Sequence, residues 1–424
     1  MTVVGIDDTD SRTDGMGTTY LAAVLADRLR ARGATVSRRL LVRLNPAVPH
    51  KTRGNAAVAV HTDAAPRLTA DIASTLVDAT AVTDDPQTAP GIVVAPGDPR
   101  AVPEAVATFT ETAITDHVAI DTAVTRARAA GYHLDCWGSG RGVIGALAAV
   151  GAWAGRSDRD WTVEHIAYRT PDRRGTPRTV ATSSVMAAAD AAYPAAWDTV
   201  DREADEPVCV PNTPGPVLYG IRGDDRDAVD TVAAGIDAEP IERSAVFYTN
   251  QGTDDHLQRA TVDALQDGAA FRTTGTVETG PSTRPGGHVF FTLAGADATT
   301  RCVAFEPTKR FRDHVRRLRV GDRITACGEV TDGTLKLEKF AVRELVTTEE
   351  VTPTCPGCDR RMESVGADQG YRCRDCGTTA GGTVTRALER ELATGWYEVP
   401  PRARRHIAKP LVRGGFDAPV HPER

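Results

Sequence analysis

The first apolar positions form a short run, Val3, Val4 and Ile6, which reads as a buried strand opening the chain. Between Gly15 and Gly33 the period changes. Leu21, Val24, Leu25 and Leu29 recur at helical spacing, and Gly33 suits a helix terminus. A strand-like "TVSRRLLVRL" follows, then the turn "NPAVPHKTRGN", a strand at 56–62 ("AAVAVHT") and a helix in "TADIASTLVDATA". Residues 83–91 read as a polar loop, and "TETAITDHVAIDTAVTRARAAG" as mostly helical. Strand and helix thus alternate through residues 1–160, as in an α/β unit. Residues 161–265 carry three more strands, "VEHIAYR", "VLYGIRG" and "SAVFYTN", with the helix "DRDAVDTVAAGI" between two of them. That order suggests a small ferredoxin-like α+β unit, either beside the first unit or interleaved with it.

Residues 268–346 change character. "FRTTGTVETG", "HVFFTLAG", "TRCVAFEP", "RITACGEV" and "TLKLEKFAVREL" are five strands bounded by glycine turns, with one helix, "FRDHVRRLRV", between the third and fourth. This is the order of an OB-fold, and another five-stranded barrel is the alternative. Residues 350–424 hold two cysteine pairs, a helix expected in "TRALERELATG", and a basic tail, "PPRARRHIAKPLVRGG". The fold class is therefore multidomain, α/β followed by all-β.

Composition adjusts this picture in two ways. A chain of 424 residues, 41% hydrophobic, is globular and of about three domains. It has no apolar run long enough for a bilayer and no signal-peptide pattern at its start, so a cytoplasmic protein without a membrane partner is expected. The net charge is −7, and lysine occurs only at Lys51, Lys309, Lys336, Lys339 and Lys409. An acidic, lysine-poor surface fits adaptation to high salt. Any one aspartate is then surface decoration unless its context says otherwise. A nucleic-acid partner is not excluded, because the distribution of charge decides that and not its sum.

Cys136, Cys209, Cys302 and Cys327 are scattered and read as small core residues. Cys355 and Cys358 ("CPGC") and Cys373 and Cys376 ("CRDC") are two knuckles separated by fourteen residues, one short of the usual spacing. Four thiolates make a closed, structural Zn²⁺ site, with Gly357 and Gly377 allowing close backbone approach.

"VVGIDDTDS" places Asp7, Asp8 and Asp10 where the first strand leaves the core. If the strand continued, Asp8 and Asp10 would share a side. Mg²⁺ would relieve the mutual repulsion, taking one or two carboxylates and completing its shell with water and phosphate oxygens. The alternative is helix capping by Asp10, Ser11, Asp14 or Thr18. "GSGRGVIGALAAVG" supplies Gly138, Gly140 and Gly142 before a small-residue helix, a turn able to offer N–H groups to phosphate, with Arg141 as a clamp. Its alternative is a Gly/Ala helix packed closely on a sheet. Lys51, Arg53 and Asn55 in "HKTRGN" add cations and a donor for a triphosphate. Together these describe nucleotide chemistry with ATP and Mg²⁺.

Taken in order, "GIDDTDS…GTTYLA", "RLNPAVPHKTRGN", "GRGVIGALAAVGA", "IAYR", "PNTPGPVLYGIRG", "GGHVFF", "AFEPTKRFR", "CPGC…GYRCRDC" and "YEVPPRARRHIAKPL" resemble the archaeal tRNA(Ile) 2-agmatinylcytidine synthetases over essentially the whole chain. The resemblance implies a kinase-like catalytic domain (1–160), a ferredoxin-like domain (161–265), an OB-fold (268–346) and a zinc ribbon with a basic tail (350–424). It also implies a reaction. ATP phosphorylates the C2 oxygen of the wobble cytidine in the CAU anticodon, and the agmatine amine displaces that phosphate. The product, agmatidine, lets AUA be read as isoleucine. By the same resemblance Asp7, Asp8 and Asp10 are the Mg²⁺ and ATP centre, and Thr18 is tied to phosphoryl chemistry. A cysteine often precedes that threonine in the family, where this chain has Gly17, and Gly215 stands where a second cysteine is expected, leaving Cys209 alone.

Agmatine is a dication and needs acidic partners. Asp198, Asp201, Asp254 and Asp255 are candidates, with Asp201 and Asp254 ranked first. For tRNA, Arg310, Arg312, Arg316, Arg317 and Arg319 near the barrel helix and Arg402, Arg404, Arg405 and Lys409 in the tail are the expected phosphate contacts. Phe290, Phe291 or Phe305 could stack a base, one of the adjacent pair being core. Two other classes compete. A two-metal phosphoesterase should show further His or Asp ligands beside the motif, and the histidines here are sparse and scattered. A non-catalytic tRNA-binding protein would use the barrel and ribbon alone and leave the first 160 residues idle.

Overall fold

A computed structural model describes the chain apart from residues 12–15, 50–53, 82–84, 86, 155 and 157–160. Strand β1 (Thr2–Asp7) leads into α1 (Thr18–Ala31), β2 (Val36–Arg43), β3 (Ala56–Thr62) and α2 (Pro66–Thr80). Then come β4 (Gly91–Pro96), α3 (Glu104–Thr115), α4 (Ile120–Ala129), β5 (His133–Cys136) and α5 (Gly142–Gly151). The opening apolar run forms a central strand because both its faces are covered. Val4 and Ile6 pack with Leu21 and Leu25 of α1 and Leu76 of α2, while Val3 packs with Val143 and Leu147 of α5. β1 pairs antiparallel with β3 on one side and β4 on the other.

Residues 162–249 add β6 (Thr162–Arg169), α6 (Thr182–Ala192), β7 (Ala196–Trp197), β8 (Val200–Asp201), β9 (Glu206–Pro207), β10 (Val217–Gly223), α7 (Arg226–Gly235) and β11 (Ile241–Thr249). Two helices, α6 and α7, cover this part of the sheet, where the sequence suggested one. The two α/β stretches share one nine-stranded sheet, ordered β5-β4-β1-β3-β2-β11-β6-β10-β7. The join is slight. β2 and β11 run parallel and match only at Leu40 with Tyr248 and Leu41 with Thr249.

All five expected barrel strands form. After the short β12 (Leu257–Arg259) come β13 (Ala270–Thr283), β14 (Val289–Ala294), β15 (Thr299–Ala304), the helix α8 (Phe311–Arg316), β16 (Arg323–Thr331) and β17 (Thr334–Glu344). Pairings run β13–β14–β15–β17–β16 and back to β13, which closes a five-stranded barrel. Alternation on β14 sends Val289, Phe291 and Leu293 into the core and leaves Phe290 outside.

The cysteine segment is an excursion from this barrel. β18 (Thr348–Val351) pairs with a later strand to form a stem, and β19 (Glu363–Ser364), β20 (Tyr371–Arg372) and β21 (Thr379–Ala380) form a small sheet beyond it. The returning stem strand is β22 (Val384–Ala387), after which β23 (Gly395–Glu398) pairs with β17. The helix expected in "TRALERELATG" is therefore absent. Its first residues must pair with β18, and Leu392 is drawn into the barrel core, so tertiary pairing overrides helix propensity. No helix among the described residues is long and apolar enough to cross a membrane.

Candidate functional site

The cleft at the C-terminal end of β1 collects residues that the sequence scatters over more than a hundred positions. Asp7, Asp8 and Asp10 line it, facing Asn55, Arg141 and Gly145, with Leu44, Ala113 and Val118 as apolar wall. The cleft opens to solvent, and carboxylates, an amide and a guanidinium converge on its mouth. Strand alternation does not continue past Asp7. Asp8 sits in the left-handed region, φ 58°, and its N–H donates to Oδ1 of Asp7 at 2.7 Å. This turn is why all three aspartates reach one cleft, and it replaces the expectation that Asp8 and Asp10 alone share a side.

Arg141 partly answers the repulsion among them. Its guanidinium donates to Oδ2 of Asp8 at 2.7 and 3.1 Å and to the Gln87 carbonyl at 2.6 Å. Burial, and next the neighbouring Asp8 charge, push the Asp7 carboxyl well above the usual carboxylate range. Burial raises Asp8 too, against the pull of Arg141. The three carboxylates are not all within 4.8 Å of one another, so they do not form a closed metal cage. Mg²⁺ held by one or two of them, with phosphate and water oxygens completing its shell, fits this geometry. The motif does not cap α1, whose N-cap is Gly17.

The glycine turn works differently from the expected phosphate cradle. The N–H of Gly140 donates to the Trp137 carbonyl at 3.0 Å and that of Gly142 to the Ala89 carbonyl at 2.9 Å, so neither is free for a phosphate. Gly138 and Gly140 have positive φ, 56° and 74°, and shape the turn. A Cβ on Gly142 would lie 2.4 Å from the Gly91 nitrogen, and one on Gly145 would lie 1.9 Å from Oδ2 of Asp7. Close packing of α5 on the sheet, the alternative reading, is what these glycines permit. Their contribution to the site is to let Asp7 lie against the helix.

Other expected residues are dispersed. Lys51 and Arg53 lie outside the described residues, as does Asp14. Asn55 lines the cleft and donates from Nδ2 to the Asn45 carbonyl at 3.0 Å. Thr18 begins α1, is buried, and accepts from the Thr9 hydroxyl at 3.1 Å; it does not line the cleft. Asp201 is fully buried and bound to Arg310 at 3.0 Å. Asp254 is held by the Lys339 ammonium at 2.7 and 2.8 Å and by the Lys409 N–H. Asp201 is thus held within the protein, and Asp254, partly exposed, is already paired with an internal lysine, so each carries a cation of the protein itself. Cys209, Cys302 and Cys327 are buried as expected, whereas Cys136 is exposed.

The arginine expectation needs the same correction. Arg310 binds Asp201 and Glu423, and Arg312 donates to the Gly287 carbonyl at 2.6 Å. Arg404 is buried between Asp198 and Glu398. Arg310 and Arg404 tie the C-terminal segment to the barrel and the α/β sheet, and Arg312 braces the barrel through Gly287 and Glu306, so all three are engaged within the protein. Arg316 and Arg405 keep about a third of their side chains exposed while pairing with Asp313 and Glu329. On the outer face of the barrel Phe290, one of the expected stacking residues, lies beneath Arg284 at 4.3 Å, with Arg301 at 5.9 Å; the two arginines were not foreseen. Phe291 is core and Phe305 is exposed. Asp116 and His117 on the cleft wall were also missed. They break what reads as one helix into α3 and α4, and Asp116, the residue after α3, was the available signal.

The four ribbon thiols converge, all within 4.8 Å of one another. The two knuckles are equivalent: the Asp359 N–H donates to the Cys355 carbonyl and the Gly377 N–H to that of Cys373. Asp359 (φ 50°) and Gly377 (φ 75°) take the same left-handed position, while Gly357 has open space around it and is not needed for close approach. The donor set fits tetrahedral Zn²⁺. Stripping zinc from the full chain should unfold the cysteine segment around β19, β20 and β21 and spare the rest, because structural zinc sites fold with their metal. Amide hydrogen exchange checks this: new exchange confined to the ribbon is expected, and loss of protection in the barrel would contradict it.

A barrel and a cysteine ribbon would be idle in an enzyme for small molecules alone; they are means by which a nucleotide-using enzyme holds a nucleic acid. Fold and cleft point to that class, an RNA-modifying enzyme. Family models agree, with the TiaS TCKD domain matching residues 3–67, the TiaS FLD domain 140–256 and the TiaS C-terminal zinc ribbon domain 352–392. The chain belongs to the tRNA(Ile) 2-agmatinylcytidine synthetase (TiaS) family. It is 54% identical to the synthetase of Haloquadratum walsbyi and 44% identical to that of Methanosarcina acetivorans, each alignment covering all of both chains. Among solved structures it is similar to a complex of TiaS with its isoleucine tRNA and ATP (TM-score 0.90, 40% identity, 100% of this chain and 99% of that one). It is also similar to a complex of TiaS with the same tRNA, AMPCPP and agmatine (TM-score 0.87, 38% identity, 100% of this chain and 99% of that one).

Proposed function

We propose that this chain attaches agmatine to C2 of the wobble cytidine in the CAU-anticodon tRNA(Ile), consuming ATP and forming agmatidine, so that AUA is read as isoleucine. The observation that carries the reading is the full-length likeness to a family member solved with its isoleucine tRNA and ATP, at 40% identity. In finer terms, the first unit is the kinase-like domain, residues 161–265 the ferredoxin-like domain, the barrel an OB-fold, and residues 350–424 the zinc ribbon and tail.

The chemistry asks the cleft for three things. It must hold a triphosphate beside a base, raise the leaving-group quality of the C2 oxygen by phosphorylation, and then admit an amine. Asp7, Asp8 and Asp10 would hold Mg²⁺, which supplies charge neutralisation at the phosphates when bound. Arg141 keeps Asp8 aimed into the cleft and offers a guanidinium to a phosphate oxygen. Asn55 adds a phosphate contact, Lys51 and Arg53 of the same sequence motif are the further candidates, and Thr18 is the residue tied to phosphoryl chemistry. The apolar wall of Leu44, Ala113 and Val118 excludes water from the base. Phe290 with Arg284 and Arg301 offers a stacking surface for unpaired tRNA bases, with Arg316 and Arg405 as flanking phosphate contacts.

The test is a reaction of the purified chain in high salt with unmodified CAU-anticodon tRNA(Ile), ATP, Mg²⁺ and labelled agmatine. Label entering the tRNA only with ATP present is expected. Tight tRNA binding with no label transferred would leave a tRNA-binding protein instead.

A further inference from the structure

Beyond the two matched residue pairs, β2 and β11 diverge, so the N-terminal half of β2 stands apart from its neighbour. The wedge between them is a cavity lined by Arg30, Ser37, Arg38, Arg39, Arg226 and Tyr248 over valine walls, and no carboxylate lines it. That is a departure in a chain where acidic residues outnumber basic ones, 57 to 50. Arg30 and Arg226 have outward partners, Asp27 and Asp230, each at 3.2 Å. Arg38 lies over the Trp153 ring at 4.3 Å, and Arg39 donates to the Val246 carbonyl across the gap at 3.3 Å. Among the described residues neither Arg38 nor Arg39 has an ion-pair partner. Burial, and next the Arg30 charge, hold the Arg39 guanidinium below its ordinary value. Four like charges facing one polar cavity is an arrangement that an anion relieves.

We propose that this seam binds a phosphate-class oxyanion. Planar guanidiniums match phosphate oxygens in pairs, and the Tyr248 hydroxyl supplies a further donor. The site is separate from the aspartate cleft. The wedge is at the Val36 end of β2 and the cleft beyond its Arg43 end, roughly 20 Å apart along the strand. It draws residues from α1 and β2 of the first α/β stretch and from β6, α7 and β11 of the second, so a bound anion would tie the two halves of the sheet at their weakest join. The phosphate is either a free ion or part of an RNA backbone.

Isothermal titration of the full chain with pyrophosphate, with the aspartate cleft already filled by AMPCPP and Mg²⁺, tests the proposal. One further equivalent is expected to bind, and Arg38→Gln and Arg226→Gln are each expected to weaken it about tenfold, the loss of one charge-assisted contact. Circular dichroism establishes that both variants fold. Binding equal in wild type and both variants would overturn the proposal. If pyrophosphate does not bind, tRNA affinity is measured against salt. A slope reduced by about one per variant assigns the phosphate to the RNA backbone. No binding and an unchanged slope would overturn the site altogether.

Discussion

Asp8→Asn lowers agmatidine formation by about 10²–10³-fold while leaving tRNA(Ile) affinity unchanged, the loss that follows removal of one well-placed charge from an electrostatic centre. Asparagine is the right replacement because Asp8 sits at positive φ, which asparagine tolerates, and its amide oxygen can still accept from Arg141. What it removes is the negative charge alone. Single-turnover transfer of labelled agmatine, beside a filter-binding measurement of tRNA, separates chemistry from binding. Undiminished turnover would mean that the aspartates serve only to anchor Arg141.

Arg404→Ala should destabilise the folded chain by about 3–5 kcal/mol, read from the denaturant midpoint of the body. The guanidinium is buried between Asp198 and Glu398 and also donates to the Val399 carbonyl at 3.1 Å. Its removal strands two buried carboxylates that have few other cationic partners; Arg222 approaches Asp198 only to 3.7 Å. Arg405→Ala, next along the chain, removes a partly exposed pair with Glu329 and should cost about 1 kcal/mol or less. Equal losses in the two variants would show that the buried network is not what secures the tail.

These neighbouring arginines also show where sequence reading stops. Both sit in "PPRARRHIAKPL", a basic run in an acidic chain, and the run alone makes both RNA contacts. Only the approach of Asp198, some two hundred residues earlier, separates them. The aspartate motif was legible because its oddity is local, three like charges at a strand end. The four cysteines were legible because a metal dictates their spacing, and β3 was found to the residue because its apolar run is bounded by polar turns. β4 was missed: "GIVVAP" is buried between β5 and β1 and follows a polar loop, so it shows no alternation to detect. The roles of Gly142 and Gly145 depend on how near α5 comes to Asp7, a distance no spacing rule contains.

The ribbon leaves the barrel after β17 and returns to pair with that same strand through β23. Such a detour can wait. A newly made chain can close its barrel and seat its C-terminal segment against the sheet whether or not a metal ion has arrived, since none of those contacts passes through the cysteines. When zinc is scarce, the cell would accumulate finished bodies with an unformed appendage, ready to be completed within the time of one binding event, and not chains that must be discarded and made again.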